Sequence, residues 1–504
     1  MEQTSSSAYP NILVADYVKK ARVASPQILM KAEEYLNVGY QKLLTFERPG
    51  GGFDWWGNGP PLVWLSAYGL QEFSDMAKVY PIDKGVIERT QKWLMSQQEK
   101  DGSWSNIGAT HGETITRMGD PKLLLTSYVA WSLLESRGGE PVANAPGSEG
   151  LKKAIEYIRQ HIDDAKDNAY ILALAANALA AFDAKDDSTH EVLRRLEKLH
   201  KEVPDWKAVN FPVPGGQSLS YAHGDSVTVE TTALAALAMM KSGQFTNSVN
   251  KALTYIVKSK DPNGTWGSTQ ATILSLKALV AGLSGSKQQG KATFQILVNG
   301  KKAGQGEVAE ENADVMQVFE LTGTPGAGKP VGHATGLATG RNDVEIQVEG
   351  ETNMMYQIVG RYFQPWKKLL VEKKPTLDVS VVYDRTSLST ADLLRAKATL
   401  KYQGEIPTYM VIVDLGIPPG FSADAGDFAE MAGKRQIQKF TMTSRQVTLY
   451  IGDVKPGDSL TFEYGLKPKY PIKAKTPATV AYEYYTPANR ATAAPAELIV
   501  EEKK

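Results

Sequence analysis

Helix, tight Gly/aromatic turn, helix: this unit recurs along the first half of the chain. Pro26–Leu44 leads into Pro49-Gly-Gly-Gly-Phe-Asp-Trp-Trp-Gly57 and then a helix from about Pro61 to Phe73. Val86–Gln98 leads into Asp101-Gly-Ser-Trp104 and on to Lys122–Glu135. Val249–Ser259 leads into Asp261-Pro-Asn-Gly-Thr-Trp-Gly267 and Ser268–Leu283. Between them Leu151–His161 pairs with Ala169–Phe182, and Glu191–Lys201 with Glu230–Met240. Asn11–Val23 opens the series. A repeat of roughly 45–60 residues in which no single unit can bury its own apolar face predicts stacking of units into one continuous core. The glycines permit the tight turns, and the adjacent aromatics cover the apolar layer. Helices rich in small residues, Ala169–Ala181 and Thr231–Ala238, suit an inner ring because they allow close approach. The expected architecture is an all-α α/α toroid of about six helical hairpins over residues 1–285.

After Leu283 the pattern changes. A Gly/Ser/Lys/Gln stretch is followed by short β-prone runs, Phe294–Val298, Val315–Leu321, Val344–Glu349 and Met354–Tyr362, which predict a β-module over 290–372. Residues 374–500 carry further candidate strands: Leu377–Tyr383, Ala396–Tyr402, Met410–Leu415, Lys439–Ile451, Ser459–Leu466 and Ala478–Tyr485. They predict an antiparallel β-sandwich. A short helix is expected at Ala423–Met431, and the tail Glu501-Glu-Lys-Lys is expected to be unstructured. The fold class is thus multidomain, a helical toroid followed by all-β modules.

Composition removes several function classes. Lys+Arg and Asp+Glu both total 56, so no net positive field draws nucleic acid. No apolar run reaches the ~20 residues of a membrane span, and the N-terminal residues have no secretory core. Cysteine is absent, which excludes disulfides, Cys-ligated zinc and a Cys nucleophile within these residues. Gly323-Thr-Pro-Gly-Ala-Gly328-Lys329-Pro330 mimics a phosphate-binding loop, but Pro330 stands where the Mg²⁺-binding hydroxyl is required, so no nucleotide is expected. No cofactor or metal is called for.

Four short stretches stand out together: Met1-Glu-Gln-Thr-Ser-Ser-Ser-Ala-Tyr-Pro10, Gly50-Gly51-Gly52-Phe53, His111-Gly112-Glu113 and Met410-Val-Ile-Val-Asp414. With Gln446–Ile451 and Val480–Tyr485 they resemble the alpha-2-macroglobulin and complement thioester family, over essentially the whole chain. In that family a Cys-x-Glu-Gln tetrapeptide joins the Cys sulfur to the Gln side-chain carbonyl. Met1, Glu2 and Gln3 fit x-Glu-Gln, and the expected Cys is the residue before Met1, at an internal Met of a longer bacterial protein. The resemblance implies that His111 attacks the thioester to give an acyl-imidazole, that the released thiolate deprotonates a hydroxyl, and that Glu113 orients the imidazole. Tyr9 and Pro10 are given an architectural role, placing the first helix and shielding the bond.

The implied domains are a thioester-type toroid, the second half of a CUB-type β-domain and a receptor-binding-like sandwich. The implied function is that of the C-terminal part of a broad-spectrum protease inhibitor, not an enzyme, whose intact parent works outside the cytoplasm: extracellular, periplasmic or at the cell envelope. Its expected partners are trapped proteases, hydroxyl-bearing target surfaces and the preceding macroglobulin domains of the same protein. The family's receptor-binding helix carries a Lys pair; Ser422–Met431 is acidic and has no Lys, with Lys434 only after it. Two other readings are a non-covalent adhesion or scaffolding protein on the same fold, and an α/α-toroid enzyme such as a terpene cyclase. The last requires an acidic cluster in the ring, for which Asp186-Asp187 lacks the spacing.

Overall fold

The computed structural model describes residues 1–21, 26–105, 120–139, 147–261, 264–283, 291–309, 312, 317–321, 337, 340–350, 356, 358–360 and 376–502. Its helices are α1 (Glu2–Ala21), α2 (Pro26–Leu44), α3 (Val63–Val79), α4 (Gly85–Ser96), α5 (Pro121–Glu135) and α6 (Ser148–His161), then α7 (Ala169–Phe182), α8 (Asp187–Glu197), α9 (Gly224–Ser242), α10 (Thr246–Lys258) and α11 (Thr269–Leu283). The odd-numbered helices pack in sequence, α1 on α3, α3 on α5, α5 on α7, α7 on α9 and α9 on α11, and α11 returns to α1. They form an inner ring, and the even-numbered helices lie outside it. The small-residue helices are inner, as their composition demands: α7 is buried from Ala169 to Ala180 and α9 over most of its length.

The aromatic turns are a repeated hydrogen-bonding device. Trp104 and Trp266 each donate the indole N–H to the carbonyl ten residues earlier, Leu94 at 2.8 Å and Ile256 at 2.6 Å. These carbonyls belong to the last turns of α4 and α10, where i→i−4 donors run out; the Leu94 carbonyl also accepts from the Gln97 N–H at 3.1 Å. The backbone N–H of the same residue donates to a hydroxyl on the next inner helix: Trp104 to Thr126, Trp266 to Thr272, Phe53 to Ser66 and Phe211 to Thr232, at 2.8–3.2 Å. Each turn thus fastens an outer helix end to an inner helix. Gly51 and Gly102 must be glycine, because an added Cβ would lie 2.4 Å from the Arg89 carbonyl oxygen and 2.6 Å from the Lys153 backbone.

The sequence predicts a first helix from Asn11; α1 instead starts at Glu2 and runs through Pro10. The polar residues 2–7 are helical because tertiary burial of Glu2, Ser5 and Ala8 overrides their weak propensity. Between α8 and α9, β1 (Lys201–Val203) and β2 (Ala208–Asn210) make a small hairpin that packs on the outer helix α10.

Next come β3 (Ala292–Val298), β4 (Lys301–Val308) and β5 (Val344–Gly350), an antiparallel sheet in the order β4-β3-β5. The β3–β4 hairpin turns at Asn299-Gly300, both at positive φ, as a two-residue hairpin loop needs. The run expected at Val315–Leu321 is not a strand where it is described, at 317–321. Gly323–Pro330 and most of Met354–Tyr362 lie outside the described residues.

The last unit contains β6 (Leu377–Tyr383), β7 (Ser387–Ser389), β8 (Leu394–Tyr402), β9 (Thr408–Gly416), β10 (Phe421–Ala423), α12 (Ala425–Gly433), β11 (Lys439–Met442), β12 (Gln446–Val454), β13 (Ser459–Pro468), β14 (Ile472–Lys475), β15 (Thr479–Glu483), β16 (Thr486–Ala493) and β17 (Glu497–Glu501). Sheets ordered β10-β13-β8-β6 and β11-β12-β9-β15-β16 enclose a core that includes Phe428, Val413 and Tyr464. The run Lys439–Ile451 is two strands, β11 and β12, because the chain reverses at Thr443–Arg445. Glu501 is not in a loose tail but ends β17, which pairs antiparallel with β14 and parallel with β7. The alternating exposure of Glu497–Glu501 carries this strand.

Candidate functional site

The first turn of α1 lies where the toroid meets the C-terminal sandwich. The Met1 amine donates to the Trp55 carbonyl at 2.6 Å, and the Met1 side chain occupies the space that a Cβ on Gly69 would take. Glu2 is 3 % exposed, and its Oε2 accepts from the hydroxyl of Tyr485, at 2.7 Å and from the far end of the sequence. Gln3 is half-buried on the same turn, with its carbonyl accepting from Ser6 Oγ at 2.8 Å. Ser5 is fully buried and bonds the hydroxyl of Tyr68 on α3.

Aromatic rings from both units enclose this turn. Tyr221 of the toroid packs 5.0 Å from Tyr409 and 5.6 Å from Tyr485 of the sandwich. Trp55 lies 5.2 Å from Trp64 and 6.3 Å from Tyr409. At the rim Lys439 sits over the Trp56 ring at 5.5 Å, a cation–π contact. Two residues here adopt the left-handed region that β-branched and bulky residues avoid, Tyr221 (φ 63°) and Met410 (φ 64°). Such strain persists only where the surroundings over-determine it, and it clusters at functional sites.

The electrostatics follow from burial. Desolvation pushes the Glu2 carboxyl up to about 8, against the Tyr485 hydrogen bond and the Met1 amine. It pushes Glu72 on α3 up to about 8, with Ser5 the main opposing contact, and Glu230 on α9 up to about 7. It lowers the Met1 amine to about 5. At neutral pH Glu2 and Glu72 are largely uncharged and Glu230 is about half so, which keeps the charge around the first turn low. Glu230 is held by Ser220 and Ser268, both at 3.0 Å. With Trp64, Tyr128, Tyr170 and Gln270 it lines a small hollow of about 10 Å³ at the ring centre. Among the described residues no three His, Asp or Glu groups are placed to hold a metal ion. Asp186 caps α8 through Ser188 N at 2.9 Å, which accounts for the Asp186-Asp187 pair without an acidic substrate cluster.

Of the residues expected from the sequence, Glu2 and Gln3 lie together at this buried turn. His111 and Glu113 lie outside the described residues; the described chain stops at Ser105 and resumes at Asp120, the N-cap of α5. Tyr9 is fixed to Asp75 on α3 at 2.7 Å, so it anchors α1 in the ring; the ring that reaches Glu2 is that of Tyr485. Sequence reasoning missed Tyr221, His223, Glu72, Glu230 and Glu483. The one visible signal is the aromatic run within Tyr482–Tyr485, which the sequence marks as a strand and as part of the family resemblance but not as a cover for Glu2.

A family model described as the A-macroglobulin TED domain matches residues 1–281, and one described as the A-macroglobulin receptor binding domain matches residues 407–495. Ovostatin of Gallus gallus is 24% identical over 500 residues, spanning 96% of this chain and 32% of its own length. Complement C3 of Oncorhynchus mykiss is 24% identical over 479 residues, 90% of this chain and 27% of its own. The chain therefore spans about a third of the length of the curated relatives it matches. Among solved structures, native alpha-2-macroglobulin of Escherichia coli from domain MG7 to the C-terminus superimposes with a TM-score of 0.63 at 16% identity. It covers 99% of this chain and 73% of that one. The Salmonella protein reacted with methylamine gives 0.62 at 15% identity, with coverage of 99% and 30%.

Proposed function

The chain belongs to the A-macroglobulin family through its residues 1–281, and from that premise we propose that it supplies the C-terminal part of a protease-trapping inhibitor with Gln3 as acyl donor. The observation that carries the reading is the seal on the first turn. Glu2, next to Gln3, is hydrogen-bonded by Tyr485 of the receptor-binding-type unit inside a shell of aromatic rings. A thioester needs such shelter, because water hydrolyses it and an uncharged, ring-lined cleft excludes water.

The chemistry balances simply. The thiolate of the motif's Cys attacks Cδ of Gln3, and ammonia leaves. An incoming amine or hydroxyl later attacks the same carbon, and the thiolate departs. The motif places that thiol immediately before Met1, and this chain has no cysteine. His111 is assigned the intermediate acyl-imidazole and Glu113 its orientation, which directs the acyl group to hydroxyls. Trapping of proteases, acylation of nearby surfaces and a location outside the cytoplasm are properties proposed for the whole protein.

The test is mass spectrometry on a chain carrying Cys before Met1. The expected result is a mass lower by one ammonia, and methylamine addition at Gln3 that Gln3→Ala abolishes. The chain without the Cys should gain no methylamine. If the extended chain is folded by circular dichroism yet shows neither change, Gln3 is not an acyl donor. In the reacting protein His111→Asn should move the product from glycerol toward methylamine adducts, and Glu113→Ala should slow glycerol transfer; an unchanged partition removes His111 from the mechanism.

A further inference from the structure

The loop that supplies Tyr221 ends at His223, the residue before α9. His223 reaches across to the sandwich, its Nε2 3.1 Å from Glu483 Oε2 and its Nδ1 3.2 Å from the Thr486 hydroxyl. Glu483 closes β15 and Thr486 opens β16, with Tyr485 between them. Glu483 is 1 % exposed, and its carboxylate is fully engaged. Oε2 also accepts from Thr408 Oγ1 at 3.0 Å, and Oε1 accepts from Asn489 Nδ2 at 3.0 Å. One imidazole from the toroid therefore pins both flanks of the tyrosine that covers Glu2. Nothing in the sequence separates His223 from the other histidines.

We propose that His223 is a positioning residue that grips Glu483 and Thr486 and so holds Tyr485 down over the first turn of α1. The inference rests on reading that turn as the acyl-transfer site, but the device itself is a latch between two units and can be tested without any thioester.

The latch is pH-sensitive. Burial works against the charged imidazole, and the Glu483 carboxylate outweighs it, so the ring's pKa is raised. Glu483 is the charged group facing the ring from the sandwich. On its own helix Asp225 lies two residues on, and Glu230 points instead at Ser220 and Ser268. A raised histidine pKa makes docking strongest below the ordinary value of 6.5 and weaker as pH rises through the folded-state value. Loss of the imidazolium leaves Glu483 buried with only neutral donors, and a buried charge deprived of its partner is costly.

Methionine oxidation by hydrogen peroxide reads the latch in the chain as it exists. The peroxide gives one oxygen to the thioether sulfur and leaves as water, forming the sulfoxide. Met410 is 5 % exposed and belongs to the apolar cluster that runs from the toroid into the sandwich, so undocking uncovers it. Met431, 6 % exposed in the sandwich's own core, and Met76 in the toroid core stay covered. The expected result is that His223→Gln oxidises Met410 about five- to thirty-fold faster near pH 6, the ratio that one to two kcal/mol of lost docking gives. Met76 and Met431 should keep their rates. The parent's Met410 rate should rise as pH increases above the imidazole's ordinary value of 6.5, and that step should be absent in the variant. Glu483→Gln should match His223→Gln, and the double variant should be no faster than either. Equal Met410 rates in parent and His223→Gln, an undiminished pH step, or a parallel rise at Met76 and Met431 would each overturn the latch. Failure of the thioester chemistry would leave all these rates unaffected, so the two readings fail separately.

Discussion

Glu2 is an acidic side chain in a place that rejects charge. Its carboxyl is raised to about 8 by burial, against an ordinary value of 4.5. A raised carboxylic acid binds its proton more tightly in the folded state, so it costs no stability below about pH 4.5. It costs progressively more as pH rises toward its folded value. Glu230, raised to about 7, acts in the same direction, and the latch adds to both. Glu2→Gln keeps the acceptor for the Tyr485 hydroxyl and removes one titration. It is expected to reduce the loss of stability between about pH 5 and about pH 8 by roughly 1–3 kcal/mol. Urea unfolding at the two pH values checks this, and an identical loss in the variant would show that Glu2 is ionised in the folded protein. Tyr485→Phe, which deletes one hydroxyl, should cost about 1 kcal/mol of docking, read as faster Met410 oxidation.

At the scale of helices, the ring is closed by one charged group. Asp75 on α3 accepts from Tyr9 of α1 and faces Lys277 of α11 at 2.8 Å and Lys78 at 2.7 Å. Lys277 also sits 5.1 Å from the centre of the Tyr9 ring. Burial works to raise the Asp75 carboxyl, and the two lysines outweigh it and hold it well below the usual range. Its contribution is therefore present above about pH 4 and lost as pH falls through the depressed value. Asp75→Asn leaves Lys277 largely buried without a counter-charge and is expected to cost about 3–5 kcal/mol in urea unfolding. Asp75→Asn with Lys277→Met should recover part of that loss. The indole bonds give a smaller, paired prediction. Trp266→Phe removes the indole bond to the Ile256 carbonyl and should cost about 1–3 kcal/mol, whereas Trp104→Phe leaves the Leu94 carbonyl its bond from the Gln97 N–H and should cost less in the same urea unfolding. Equal costs would show that the Gln97 bond does not compensate for the lost indole.

At the scale of the molecule, the apolar cluster of the toroid does not end at the toroid. It includes Tyr409, Met410, Ile412, Tyr450 and Tyr485 from the sandwich, which has a second core of its own. A fragment of residues 1–283 is expected to keep its helical circular dichroism but to expose Trp55, Trp64 and Tyr221. It should then bind a hydrophobic dye that the whole chain excludes, because an uncovered apolar patch of that kind invites association. A fragment that stays dye-silent would mean that the rings repack without the sandwich.

The sequence by itself determined the elements. Helical period, the recurrent Gly/Trp turns and the loss of both after Leu283 fixed a helical ring followed by β-units. Strand alternation placed β6, β8 and β13 almost to the residue, since a half-buried sheet face imposes a period of two. The family resemblance singled out Glu2 and Gln3, because the x-Glu-Gln stretch that carries it is contiguous in the chain. The sequence misplaced what local preference does not govern: residues 2–7 joined α1 through burial, and Glu501 joined β17 through pairing with distant strands. The cover of the site was beyond its reach for the same reason. The contacts of Tyr485 with Glu2 and of His223 with Glu483 join residues of the ring to residues of the sandwich, hundreds of positions apart in the chain. No periodicity or spacing along one chain records which distant side chains will share a desolvated interface. Only the packing of the sandwich on the ring brings them within hydrogen-bond distance, and burial there gives these ordinary residues their altered protonation.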